Sequence, residues 1–181
     1  MEAHVRTATT GDARAVARLF ALLKSHHQEL APDNPRYGLD EDTWSRLAEA
    51  DLVDPNITVL VAEVDGEVRG LTKLVLEDKP WGLGCEVETL IVDEQLRGRG
   101  IGSLLMGAAE QEAAEAGAMG IRVNVLRLNE RGRNFYERLD YEPIAVRYGK
   151  PLSPVRRRGR SEIARQQPLG QGYHDHRYHH G

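Results

Sequence analysis

The sequence predicts an α/β (α+β) domain: a mixed central sheet with helices on both faces. Three observations carry this. Strand-like and helical runs follow one another as β-α-α-β-β-β-α-β-α-β, with three strands in succession before the second half, so the chain is not a repeating βα array. Asp65-Gly66 joins two strand-like runs, Ile57–Val64 and Glu67–Leu76, and suits a two-residue hairpin turn because both central residues need φ > 0. Residues Leu90–Ala108 read LIVDEQLRGRGIGSLLMGA: the end of a strand, a turn with Gly98, Gly100 and Gly102, then Ile101, Leu104, Leu105 and Ala108 at helical spacing.

The chain opens on a short strand at Val5–Ala8. Thr9 and Asp12 have the spacing of a capping box, and Val16, Leu19, Phe20 and Leu23 form an apolar stripe, so a helix is expected from about Gly11 to His27. Pro32, Asn34, Pro35 and Gly38 mark a loop. A second helix starts with Asp40 as N-cap, Leu39 and Trp44 as a hydrophobic staple, and Trp44, Leu47 and Ala48 facing the core; it stops before Asp54-Pro55. After the hairpin, Glu77–Gly84 reads as a loop and Cys85–Val92 as a strand. Strict alternation there puts Glu86, Glu88, Leu90 and Val92 on one face and Val87, Thr89 and Ile91 on the other. The next helix ends near Gly117, a C′ residue. Ile121–Leu128 is a strand, Arg131–Leu139 a short helix, and Tyr141–Gly149 a final strand that could pair across a homodimer.

The 181 residues suit one domain with a real core, and 40% hydrophobic and 29% charged content are globular values. A formal net charge of −4 gives no overall field for nucleic acid. The single cysteine, Cys85, excludes an intramolecular disulfide and fits a reducing, cytoplasmic setting. The N-terminal stretch has no signal-peptide core, and no apolar run approaches membrane-spanning length. From about Pro151 the composition turns to Arg, Gly, Pro and His. The expected division is a domain over 1–152 and a basic, His-rich tail over 153–181 outside the core. Its histidines and arginines read as a solvated terminus rather than a metal or nucleic-acid site.

The glycine turn carries the first chemistry. Helix first turns present N–H groups without partners and favour negative charge, glycines let a ligand approach the backbone, and Arg97 and Arg99 add donors. The stretch reads as a phosphate or pyrophosphate site. A dinucleotide fingerprint fails because Ser103 or Leu105 stands where the third glycine is needed, and a Walker loop fails because no glycine here precedes lysine. The pattern [QR]-x-x-G-x-G is met twice, from Gln95 and from Arg97. In this, the stretch resembles the acyl-CoA-binding loop of the GNAT superfamily of N-acetyltransferases. The element order agrees over roughly Val5–Leu152, as do VETLIVD, QLRGRGIGSLLM and LNERGRNFYERLDYEP.

The resemblance implies an acetyl-CoA-dependent N-acyltransferase, with acetyl-CoA as co-substrate, no metal, and direct attack by an amine in a ternary complex. It gives the amides of Arg97, Gly98, Arg99, Gly100, Ile101, Gly102 and Ser103 to the pyrophosphate. Backbone N–H groups near Leu90, Ile91 and Val92 go to the thioester carbonyl, and Asn129 to the amide arm. Glu88 is the expected base, directly or through water, since a carboxylate among apolar neighbours takes up a proton readily. Tyr136, turned about 100° from Phe135 on its helix, is the expected acid for the leaving thiolate. Two departures from the family pattern stand out: Arg133 for a small residue, adding a phosphate contact or crowding the site, and Asp140 for a glycine, as a left-handed C-cap. Cys85 reads as a small buried residue, and His26 and His27 as helix-end cations beside the acceptor region. The acceptor is a small-molecule amine, with acidic residues around the second helix hinting at a cationic one. A protein or peptide amine, and a silent acyl-CoA-binding module, stand as alternatives.

Overall fold

The computed structural model describes residues 2–30 and 40–148. The chain divides into two compact units, Met1–Glu142 and Pro143–Gly181. The first holds β1 (Ala3–Thr7), α1 (Ala13–Leu30), α2 (Glu41–Asp51), β2 (Ile57–Val64), β3 (Glu67–Lys79), β4 (Gly82–Val92), α3 (Ile101–Glu115), β5 (Ile121–Val123) and α4 (Glu130–Glu137). The sheet runs β1-β2-β3-β4-β5, antiparallel except for the parallel pair β4–β5. One core lies between the sheet and α3, around Leu60, Leu74, Val87, Leu105 and Met106. The other lies under α1 and α2, around Val16, Leu19, Phe20, Val61 and Leu71. The mixed sheet with helices on both faces is the architecture expected.

Local chemistry sets most boundaries. Asp12 Oδ2 accepts from the Thr9 N–H at 2.8 Å and receives Arg6 at 2.9 Å; the Arg6 guanidinium holds the carboxyl well below the usual carboxylate range. Asp40 caps α2 by accepting from the Thr43 N–H at 2.7 Å. Its proposed staple partner, Leu39, lies outside the described residues. Asp65 and Gly66 take φ of 50° and 83°, as the hairpin turn requires. Asp140 adopts the left-handed C-cap conformation, φ 62°. On α3 the buried positions are Ile101, Leu105, Met106, Ala109 and Ala113, while Leu104 is partly exposed; on α2, Leu47 is exposed.

Three elements differ from the sequence reading. Glu77–Gly84 is not a loop: the β3–β4 hairpin continues through Glu77↔Gly84, Asp78↔Leu83 and Lys79↔Gly82, and turns only at Pro80 and Trp81. β5 stops at Val123 instead of Leu128, because its pairing with β4 ends at Val87↔Val123 and a strand without a ladder does not persist. Tyr141–Tyr148 carries no strand among the described residues. Pro143 removes a ladder donor, and Ile144, Val146 and Tyr148 are 81%, 77% and 92% exposed, so no face of this run is buried.

The fourth difference bears on function. β3 and β4 pair Lys73↔Thr89 and then Leu74↔Val87, so Glu88 has no opposite residue and forms a bulge. The bulge breaks the alternation. Val87, Leu90 and Val92 all pack toward α3, and Ile91 packs toward α1. Fully buried Thr72 donates its hydroxyl to the Thr89 carbonyl at 3.0 Å, next to the bulge. Thr72→Val should therefore destabilise the fold by about 1 kcal/mol in urea unfolding, the net contribution of one part-buried hydrogen bond. An unchanged midpoint would mean the bulge is held by other contacts.

Candidate active site

The site begins where β4 ends. Asp93 accepts from Arg69 at 3.1 Å and Arg18 at 3.3 Å, tying the end of β4 to β3 and α1; the Arg69 hydrogen bond helps hold its carboxyl below the usual range despite burial. A tight turn over Glu94–Leu96 leads into the glycines. Gly98 and Gly100 have φ of 78° and 82°, a conformation L side chains rarely adopt, and no atom lies within 4 Å of where a Cβ would stand. Gly100 is the N-cap of α3. It offers no side chain to the first-turn N–H groups, and the first turn carries no acidic residue. At Gly102 a Cβ would come within 3.3 Å of the Phe135 ring, so α3 and α4 approach closely only because it is glycine.

These elements frame a cleft of about 370 Å³. One wall is Leu90–Val92 of β4. Arg97, Gly98, Gly100, Gly102 and Ser103 form its end, Asn129, Phe135 and Tyr136 face it from α4, and Leu23, His26 and His27 come from α1. Beyond Val87 no strand of the described residues pairs with β4 on its β5 side, so the backbone of Leu90–Val92 borders an open gap. Asn129 caps α4, its side-chain oxygen accepting from the Gly132 N–H at 2.9 Å. The Tyr136 ring packs edge-on against Phe135 at 5.1 Å and Tyr141 at 5.7 Å, and burial raises its hydroxyl well above the ordinary value, keeping it a proton donor.

The cleft thus brings together most of the residues expected from sequence. Four stand apart. Ile101 is in the core beneath the loop. Arg99 does not line the cleft, and Arg133 turns to the Arg127 carbonyl. Glu88 also lies outside the lining, about 7 Å up the strand from Leu90. Its surroundings are not apolar: Lys73 Nζ stands 3.1 Å from its Oε2, and its side chain is 34% exposed. Glu86 is engaged by Arg122 at 3.1 Å and Asn124 at 2.6 Å. Arg97 braces the loop through the Val92 carbonyl, 3.2 Å away, and Glu94. Cys85 is fully buried, and burial pushes its thiol up. Sequence reasoning missed Arg131 and Arg138, which line the cleft; their seven-residue spacing, from α4 to its C-cap, is the signal that puts them on one face. Among the described residues the lining carries arginine and histidine but no carboxylate. Oxyanions fit such a surface, and so do unpartnered amides at a helix start.

Comparison with known proteins agrees with this geometry. The model of the acetyltransferase (GNAT) family matches residues 21–141. An aminoalkylphosphonate N-acetyltransferase of Salmonella typhimurium is 31% identical over 153 residues, covering 82% of this chain and 90% of its own. A mycothiol acetyltransferase of Propionibacterium freudenreichii is 32% identical over 64% of this chain and 37% of its own. Among solved structures, a tetramutant of the BH1408 protein from Bacillus halodurans superposes with a TM-score of 0.70 at 25% identity, covering 82% of this chain and 99% of that one. Gly100→Ala places a side chain at φ 82°, which costs about 1–2 kcal/mol. The variant is then expected to unfold at a correspondingly lower urea concentration. An unchanged midpoint would mean that the turn accommodates a side chain there.

Proposed function

The chain belongs to the GNAT acetyltransferase family, and from that membership we propose that it transfers acetyl from acetyl-CoA to the primary amine of a small molecule by direct attack in a ternary complex. That it is an acetyl-CoA-dependent N-acyltransferase follows from the family and its named relatives. The acceptor and the residue roles are our reading. The observation that carries it is the cleft, which brings the α3 start and the free edge of β4 together with Tyr136.

In this reading the backbone from Arg97 to Ser103 holds the pyrophosphate. Asn129, whose oxygen caps α4, offers its amide N–H to the pantetheine arm. N–H groups along Leu90–Val92 polarise the thioester carbonyl, where preorganised donors have the largest effect. Glu88 takes the proton of the acceptor ammonium, through water given its distance from Leu90. The amine nitrogen bonds the acetyl carbon as the C–S bond breaks; Tyr136 gives its proton to the departing thiolate and recovers one, through water, from the nitrogen as it becomes an amide. The products are the acetylated amine and coenzyme A.

The acceptor end is formed by Leu23, His26 and His27. A lining of arginine and histidine without carboxylates favours an amine that also bears an anionic group over a polycation. The name of the Salmonella relative points the same way. Three of the acids around α2 that hint at a cationic acceptor have other partners: Asp40 caps α2, Asp51 pairs with Lys73 at 2.8 Å, and Asp54 accepts from the Asn56 N–H at 2.8 Å. A buried lone cysteine fits a cytoplasmic setting. Turnover of acetyl-CoA, read by thiol release, is expected to be fastest with aminoalkylphosphonates in a panel that includes polyamines and peptides. Glu88→Gln and Tyr136→Phe are each expected to lower kcat about 100-fold with coenzyme A binding intact. Wild-type rates in either variant would remove that residue's role, and faster turnover of polyamines or peptides would remove the acceptor assignment.

A further inference from the structure

Lys73 of β3 lies between two carboxylates. Its Nζ is 2.8 Å from Asp51 Oδ2 on α2 and 3.1 Å from Glu88 Oε2 on the β4 bulge. The side chains of Lys73 and Asp51 are only 12% and 11% exposed, that of Glu88 34%. Burying an ammonium and a carboxylate costs several kcal/mol per ion before their attraction offsets it, so such pairs add little net stability. Burial pushes the Asp51 carboxyl up; Lys73 pulls it back, and Glu88 and Asp54 add like charge. The neighbouring acids are otherwise engaged: Glu86 by Arg122 and Asn124, Glu77 by Lys79 and Arg122. His26 and His27 of α1 line the neighbouring cleft.

A bulge residue has no cross-strand neighbour to fix its side chain. Glu88 is in that position, and Lys73 supplies the missing constraint. We propose that Lys73 and Asp51 are positioning residues for the transfer: Asp51 anchors the ammonium of Lys73, and Lys73 grips Oε2 of Glu88 so that Oε1 is presented to the acceptor amine or its bridging water. The inference rests on the reading of Glu88 as the base, and it assigns the second carboxylate and the lysine a role through Glu88 and not on substrate directly.

The test is a mutant cycle with the amine that turns over fastest among aminoalkylphosphonates, polyamines and peptides. Removing Lys73 alone would strand buried Asp51, so the pair is removed together as Lys73→Met/Asp51→Asn. This variant is expected to lose about 10-fold in kcat with Tm and the KM for acetyl-CoA unchanged, while Lys73→Arg, which keeps a cation between the carboxylates, stays within about 3-fold of wild type. In a Glu88→Gln background the same pair removal is expected to change kcat by less than about 2-fold, since residues acting through one group are not additive. Wild-type kcat in the pair variant, or an equal loss in both backgrounds, would overturn the inference while leaving the base role of Glu88 standing. Wild-type kcat in Glu88→Gln itself would overturn both.

Discussion

Past Val87 and Val123 the strands β4 and β5 stop pairing, while β4 runs on to Val92. Backbone donors and acceptors without a ladder partner are costly if buried and useful if they face a ligand. Here they face a cleft. Parallel neighbours that separate give a slot between two strands, and the chain uses both rims: β4 supplies backbone, and the segment after β5 leads through Asn129 into the α4 helix that carries Tyr136. The loop after β4 then offers a second set of unpartnered amides at the start of α3. Everything else in the site is arranged around these two sets of open donors.

The bulge at Glu88 belongs to the same arrangement. Bulges bend a strand and re-aim side chains, and this one sets Glu88 beside Lys73 while sending Leu90 and Val92 toward α3. Thr72 donates to the carbonyl of Thr89, and Lys73, adjacent in sequence, faces the opposite side of the sheet and holds Glu88. Neighbouring residues of β3 thus support the bulge from its two faces. The Arg18–Asp93–Arg69 contacts play the corresponding role at the end of β4, where the strand must stop and the loop begin.

What could be read from sequence was local. Asp65-Gly66, the Thr9–Asp12 pair, the Asp40 cap and the glycines at 98 and 100 specify backbone conformations by their own chemistry, and each behaves as read. The glycine loop and the helix after it were legible for that reason. What could not be read depends on partners distant in sequence. In VETLIV the polar pair Glu88-Thr89 interrupts the alternation, but the three apolar residues after it suit either face, so the sequence does not place the extra residue. The grip of Lys73 and Asp51 joins residues 15 and 22 to 37 positions apart only after three elements pack. The run after Val123 stays apolar, and only the loss of its ladder shortens β5.

In the proposed mode of binding, the gap beside Leu90–Val92 and the amides from Arg97 to Ser103 together hold acetyl-CoA. A crystal structure with a non-reactive thioether analogue of acetyl-CoA tests it most directly. The expected result has the pyrophosphate against the loop amides, the pantetheine arm along the free edge of β4, and the sulfur beside the Tyr136 hydroxyl. An analogue bound elsewhere, or one that leaves the gap between β4 and β5 empty, would contradict the account.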